Sequence, residues 1–345
     1  MKLGIIGLSQ SGKSTIFEAL TKNTIEIGNK SKDNIAAVRV PDGRVDFLSD
    51  MYKPKKTIYA QVEYFLPGIG TQSKDKNKEL NIWTKIRDCD ALIHVVRNFA
   101  GFGFEEPEPF SDFIKLDQEF IIEDLVVIEK RLERLKQDMQ RGRDINKEEV
   151  TLLKECLDSL EKEIPLRKNS DLSSAHILKG YAFVSAKPKL VLFNNEDDDD
   201  GIPDTEDDIT SKEDCMVIRG KLEQELVQMS VEDTEDFLNE FNITASAMDR
   251  VIKRSYALLG LISFFTVGED EVRAWTIKKG ATALDAAGVI HTDFQKGFIR
   301  AEVLSYNDLM DAGTYNEARK KGTVRLEGKE YCVQDGDIIN FRFNV

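Results

Sequence analysis

The chain has 345 residues, 41% of them hydrophobic and 32% charged, and its 48 Lys and Arg against 62 Asp and Glu give a formal charge of −14. That length exceeds the roughly 250 to 300 residues at which single cores stop growing, so two or three folded domains are expected and general disorder is excluded. The acidity excludes a protein that coats nucleic acid non-specifically, because such binding draws on clustered Lys and Arg.

Cys89, Cys156, Cys215 and Cys332 lie far apart, with neither metal-site spacing nor the density of a disulfide scaffold, and read as reduced thiols. The amino terminus passes straight from Met1-Lys2 into the short apolar stretch Leu3 to Leu8. No apolar run approaches the roughly 20 residues needed to span a bilayer, so no membrane partner and a cytoplasmic location are expected.

Residues 3 to 6 read as a strand ended by Gly7, and from Ser14 the spacing of Ile16, Phe17 and Leu20 predicts a helix. Between them lies Gly7-Leu8-Ser9-Gln10-Ser11-Gly12-Lys13-Ser14, the phosphate-loop spacing of two glycines followed by Lys and Ser, in its required strand-to-helix setting. The amides of residues 10 to 14 would surround phosphates, Lys13 would neutralise the β and γ groups, and the Ser14 hydroxyl would ligate Mg²⁺. The candidate nucleotide contacts here are Gly7, Ser9, Gln10, Ser11, Gly12, Lys13, Ser14 and Thr15, with Ser14 the metal ligand.

Further apolar runs, Ile58 to Leu66, Ala91 to Val96, Leu190 to Phe193 and Met216 to Ile218, predict buried strands of a mostly parallel sheet, so the first half is α/β. The strand ending at Leu66-Pro67-Gly68 lacks the Asp that a GTPase-like protein places there, two residues before Gly, to organise Mg²⁺. Asp88 and Asp90 precede a strand and read as solvated, and no catalytic residue is assigned. His94 lies on an apolar strand and reads as core.

Ile121, Leu125, Ile128, Leu132, Leu135 and Met139 alternate four and three apart, as do Val150, Leu153, Leu157, Leu160 and Ile164 after the polar turn Arg141 to Asp144. This predicts an antiparallel coiled-coil hairpin, the alternative being two amphipathic helices laid on the core. Glu196 to Asp200 and Glu206 to Asp208 read as a solvated acidic loop.

From Phe264 the texture changes to short strands, with hairpin turns at Gly268 to Glu271 and Glu327 to Lys329. Thr282 and Asp285 form a capping box for a helix stopping at Gly288, a compact α+β pattern. His291 beside Thr292 and Asp293 reads as a packing or turn residue and Trp275 as a strand residue. Arg273, Lys278, Lys279, Lys296 and Arg300 form either a basic face or scattered solubilising charge.

With these features in view, the chain resembles the YchF or Obg-like ATPase family of ribosome-associated P-loop proteins over nearly its whole length. The most specific stretches are Phe264 to Gly268, Glu271 to Thr276, Ala287 to Phe294 and Gln334 to Asp337, which follow the family's TGS-type β-grasp domain. Val40-Pro41-Asp42, Arg44, Ala186-Lys187-Pro188 and Asp90 to Phe99 are also family-like.

The resemblance implies a nucleotide-binding domain at 1–110 and 180–260, a helical coiled-coil insertion at 111–179 and a TGS-like β-grasp domain at 261–345. It also implies Mg²⁺ with ATP as the ligand, and ribosome or RNA contact through the TGS-like domain and the helical hairpin. The family's base-reading Asn, two residues, Glu appears as Asn194-Asn195-Glu196-Asp197, which adds Asn194 and Asn195 as candidate nucleotide contacts; Asp197 in place of Glu leaves GTP as the alternative base. Arg219-Gly220-Lys221 stands where Ser-Ala-Lys is usual.

Ser9-Gln10-Ser11 replaces Pro-Asn-Val, the switch Thr has no clear counterpart among Gly28 to Asn34, and Leu66 with the charged Lys74 to Glu79 replaces the Asp and glycine-rich segment. The expectation is a regulatory ATPase working with the ribosome or translation machinery. The alternative is a nucleotide-binding module with lost or very slow hydrolysis, and a partner-holding scaffold with a vestigial loop is the third reading.

Overall fold

The computed structural model describes residues 1–23, 32–68, 76–101, 105–203, 213–230, 233 and 246–344. In chain order, β1 (Lys2–Ile6), α1 (Lys13–Thr21), β2 (Asn34–Arg39), α2 (Gly43–Tyr52), β3 (Lys56–Ile58), β4 (Gln61–Leu66), α3 (Lys76–Arg87) and β5 (Ala91–Asn98) come first. The long α4 (Pro109–Gln140) and α5 (Lys147–Glu161) follow, then α6 (Ser170–Ser174), β6 (Lys189–Asn195), β7 (Asp214–Ile218), α7 (Gly220–Gln228) and α8 (Ala247–Leu258). The remainder is β8 (Leu261–Val267), β9 (Glu271–Lys278), α9 (Ala283–Ile290), α10 (Thr292–Lys296), β10 (Phe298–Ser305), α11 (Tyr306–Ala312), α12 (Tyr315–Lys320), β11 (Arg325–Glu327) and β12 (Asp337–Phe343).

The chain divides into two units, Met1–Ala36 with Glu63–Val251 and Ala37–Val62 with Ile252–Val345. In the first, β1 lies between β4 and β5, β6 and β7 extend the sheet, and each of these pairings is parallel. Every residue of β6 is buried. This is why Leu190 to Phe193 reads as an unbroken apolar run: a parallel sheet covered on both faces has no polar side to alternate with.

The predicted seam between α4 and α5 is present, with Ile121, Ile128, Leu135, Leu153, Cys156 and Leu160 buried in one cluster. A third layer completes that cluster through Leu166, Leu172, Leu178 and Phe183, so the two helices are not a bare coiled coil. Met139 and Ile164, expected in the seam, are 57% and 44% exposed because they lie at the open tip and beyond the end of α5.

Buried ion pairs root this insertion in the sheet. Asp124, wholly buried, accepts from Arg87 Nη1 at 2.8 Å and from the amides of Val184 and Ser185 at 3.1 and 2.8 Å. Asp117 accepts from Lys189 Nζ at 2.5 Å and from Arg167, which also meets Glu213 at 2.8 Å. Burial raises and these two cations more strongly lower the Asp117 pKa, which ends below its ordinary value; burial takes Lys189 down to about 8. Removing one member of such a network strands a buried charge, at a cost of about 3 to 5 kcal/mol.

In the second unit the order is β11-β10-β12-β8-β9-β3, with β8 and β9 an antiparallel hairpin and β12 parallel to β8. The capping box of Thr282 and Asp285 starts α9, and Ala283, Ala286 and Ala287 pack onto Phe264, Ile277 and Phe341. The helix runs to Ile290 rather than stopping at Gly288, where a Cβ would come within 2.9 Å of Gln295. The turn at Glu327–Lys329 does not make a hairpin, since β11 pairs back to β10.

The run Ile58 to Leu66 is not one strand. β3 pairs in parallel with β9 in the second sheet, whereas β4 pairs with β1 in the first. Residues 37–62, read from sequence as part of the phosphate-loop domain, therefore pack in the second unit. There the family-like Arg44 bonds Asp42 and Asp335, each at 2.8 Å, and lies 5.1 Å over the Phe265 ring.

Among the described residues no helix is long and apolar enough to cross a membrane. Glu206 to Asp208, Gly28 to Ser31 and Lys74-Asp75 lie outside the described residues.

Candidate nucleotide site

The loop Gly7 to Gly12 leaves the carboxyl end of β1 and enters α1, whose N-cap is Gly12 at φ 93° with no side chain capping the first turn. The uncapped amides and the helix dipole make that end attractive to an anion. Gly7 is required by close approach, since a Cβ there would lie 2.3 Å from the Val95 carbonyl oxygen. Gln10 also takes a positive φ of 64°.

Lys13 Nζ donates to the carbonyls of Gly7 and Leu8 at 2.9 and 2.6 Å. Burial lowers its pKa to about 8. An incoming phosphate restores the charged form by supplying the anionic partner that the carbonyls do not. Ser14 is the second residue of α1, and Thr15 follows in the first turn. The Ser11 side chain is 1% exposed and turned inward toward Gly7.

Asn194, 4% exposed, locks this loop to the opposite side of the site. Its Nδ2 donates to the Ser11 carbonyl at 3.1 Å and its Oδ1 accepts from the Gly220 amide at 2.9 Å. A Cβ on Gly12 would lie 2.2 Å from Asn194 Nδ2, so the glycine and the asparagine define one another. Asn195 donates to Asp199 Oδ2 and the Gly201 carbonyl at 3.0 and 2.7 Å and accepts from Asn98 at 3.0 Å. Its amide is thus spent on shaping the turn rather than turned toward a base. Glu196 accepts from the Ala100 amide at 2.6 Å, which leaves Asp197, 42% exposed and 3.7 Å from Lys221, as the open carboxylate at this corner.

At the other edge, Leu66 is 4% exposed and Pro67 and Gly68 line a cavity of about 560 Å³ with Gly7, Leu8, Ser9 and Lys13. Ile82, Trp83, Leu116 and Phe120 supply its apolar wall. A carboxylate does stand nearby, from a position the motif did not indicate: Asp33 accepts from the Gly68 amide at 3.0 Å and pairs with Lys85 at 2.8 Å. Burial opposes ionisation there, but Lys85 and the Gly68 amide hold the Asp33 pKa below its ordinary value. The sequence reading also missed Phe99, whose ring lies 3.9 Å from the Cβ position of Gly12. Its only signal was the family-like stretch ending there.

Residues 261–344 match the family model YchF-GTPase_C, described as "Protein of unknown function (DUF933)". Over 362 residues the chain is 37% identical to the ribosome-binding ATPase YchF of Bacillus subtilis (strain 168), covering 99% of each. The chain belongs to the YchF family. The ribosome-binding ATPase YchF of Haemophilus influenzae is likewise 37% identical over 360 residues, covering 100% of this chain and 99% of that one. The solved Schizosaccharomyces pombe YchF GTPase superposes with a TM-score of 0.82 at 30% identity, covering 99% of this chain and 97% of the other.

In this YchF-family chain the remaining candidates fall outside the site. His94 is wholly buried, stacked at 5.5 Å on Phe113, and burial drives its pKa well below the ordinary value, which keeps it neutral. His291 caps α10, its Nδ1 accepting from the Asp293 amide at 3.2 Å. Of the five basic residues, Arg273 and Lys278 lie on β9 and Arg300 on β10, three strands apart, roughly 14 Å. Arg273 stacks 3.7 Å over Trp275, and Lys278 donates to the Leu259 carbonyl at 2.8 Å.

Proposed function

We propose that this chain is a nucleotide-hydrolysing ATPase that acts with the ribosome in the cytoplasm. The observation that carries this reading is the Asn194 lock on an intact phosphate loop, in a chain that matches ribosome-binding ATPases from end to end.

The loop amides and Lys13 bind the phosphates, the residues at Asp197 and Lys221 face the base, and the Ser14 hydroxyl would hold Mg²⁺, which would supply neutralisation of the phosphate charge. Lys13 moves its ammonium from the Gly7 and Leu8 carbonyls toward the nucleotide, and the apolar wall at Pro67, Ile82 and Trp83 excludes bulk water beside the terminal phosphate. ATP is the assigned nucleotide because the bacterial relatives are named ATPases, with GTP as its competitor. The alternative without hydrolysis gains no support, since relatives matched over their full length are named ATPase or GTPase.

Titration of the purified protein with ATP and GTP, with and without Mg²⁺ and with and without ribosomes, tests this. Magnesium-dependent ATP binding with phosphate release, and co-sedimentation with ribosomes, are the expected results. Binding without release would return the chain to a nucleotide-binding module.

A further inference from the structure

Hydrolysis of a terminal phosphate is helped by a group that orients the attacking water and takes up its proton. The phosphate loop contributes amides, hydroxyls and the Lys13 ammonium, which stabilise phosphate charge but are poor proton acceptors. Another wall of the same cavity of about 560 Å³ comes from α4, through Leu116, Glu119, Phe120, Ile122 and Glu123. All but Ile122 fall three and four apart, so one stripe of the helix, apolar at Leu116 and Phe120 and acidic at Glu119 and Glu123, borders the nucleotide cavity. Leu8 of the loop packs against the cluster that holds Leu116 and Phe120, which brings this stripe up to the phosphate loop.

Among the described residues two carboxylates therefore line the cavity beside the loop. Glu123 is turned to Arg87, with Oε2 4.0 Å from Nη2, and its carbonyl accepts from the same guanidinium at 3.2 Å. Glu119 is half-buried and stands one helical turn earlier. Its helix is anchored on both sides of it: Asp117, two residues before, accepts from Lys189 Nζ at 2.5 Å, and Asp124, five residues after, accepts from Arg87 and from the amides of Val184 and Ser185. Phe120, next in the chain, meets Trp83 edge-on with ring centroids 5.6 Å apart. A side chain on a helix held in this way is placed before the substrate arrives, the condition for a catalytic group to act without reorganisation.

We propose that Glu119 is the carboxylate that orients the attacking water and accepts its proton. As the water oxygen bonds to the γ-phosphorus, one water proton passes to a Glu119 oxygen. The bond from the γ-phosphorus to the β–γ bridging oxygen breaks, and its electron pair leaves with ADP. The proton then passes from Glu119 to the released phosphate, which restores the carboxylate. Leu116, Phe120 and Trp83 line the same wall and limit access of bulk water to it. The inference rests on the ATPase reading, and it gives the site a carboxylate from α4 where the end of β4 carries the buried Leu66.

The test follows phosphate release against ATP concentration for the full wild-type chain, Glu119→Gln and Glu119→Asp, with and without ribosomes, and measures ATP affinity by calorimetry on the same preparations. Glu119→Gln removes the proton acceptor at nearly constant size, so kcat should fall about 100-fold or more while KM and Kd change by less than about twofold. Glu119→Asp keeps the carboxylate on a shorter stem and should recover about tenfold of that loss. Turnover by Glu119→Gln within about threefold of the wild type, no recovery by Glu119→Asp, or a loss of ATP affinity as large as the loss of kcat would each overturn the assignment and leave the ATPase reading in place. A wild-type chain that binds ATP yet releases no phosphate, with or without ribosomes, would overturn the ATPase reading itself and this inference with it.

Discussion

Two edges of the nucleotide site are built on opposite terms. At the loop edge Gly7, Gly12, Lys13 and Asn194 interlock so closely that one added methyl at Gly12 would collide with the Asn194 amide at 2.2 Å. At the β4 edge, Leu66 is buried where a carboxylate was sought, and the Gly68 amide is engaged by Asp33, whose side chain is 33% exposed. Phosphate binding, which needs donors held in place before the ligand arrives, is therefore rigidly specified. The edge that would respond to the terminal phosphate rests on a partly solvated ion pair, worth at most about 1 kcal/mol.

That contrast orders the expected effects of substitution. Gly12→Ala should be the most damaging change, since it combines a left-handed backbone position with a collision; nucleotide affinity should fall at least about 100-fold, equivalent to about 3 kcal/mol, by calorimetry. Asn194→Ala leaves the Ser11 carbonyl and the Gly220 amide without their partner. Chemical denaturation should show a loss of about 2 to 4 kcal/mol, with affinity reduced about tenfold. If either variant bound nucleotide normally, the interlock would be incidental.

The pH dependence of Lys13 comes next. Its folded pKa of about 8 lies below the ordinary 10.5, so between these values the unfolded chain binds more protons. Its contribution to stability thus rises with pH across that window, whereas phosphate binding, which requires the ammonium, weakens. ATP affinity should fall up to about tenfold from pH 7 to pH 9, with proton uptake on binding above pH 8. A flat profile would mean the loop holds Lys13 charged throughout.

The smallest effect belongs to Asp33→Asn. Stability should change by no more than about 1 kcal/mol, and Mg-ATP affinity by less than about threefold. A larger change would show that the β4 edge is as tightly specified as the loop.

Legibility in the sequence follows the same division. The loop could be read because each of its residues has a local reason: glycines where side chains would collide, Lys and Ser at the helix start, and strand and helix periodicities on either side. β5, β6 and the heptad seam were legible for the same reason, since burial on both faces or along one stripe writes itself into spacing. Leu66 was legible as a departure, but Asp33 was not, because its contacts are 35 and 52 residues away.

By itself the sequence determined the phosphate loop, the parallel sheet, the helical insertion and the family, all of which depend on short-range pattern or on whole-length similarity. Tertiary structure alone decided that the run from Ile58 to Leu66 divides between two sheets, that Asn195 shapes a turn while Asn194 locks the loop, and that β12 runs parallel to β8 with Ile338 beside Phe265. Each of these rests on which strand or side chain arrives from far along the chain, and an apolar or amide-bearing residue is equally competent for several such partners until packing selects one.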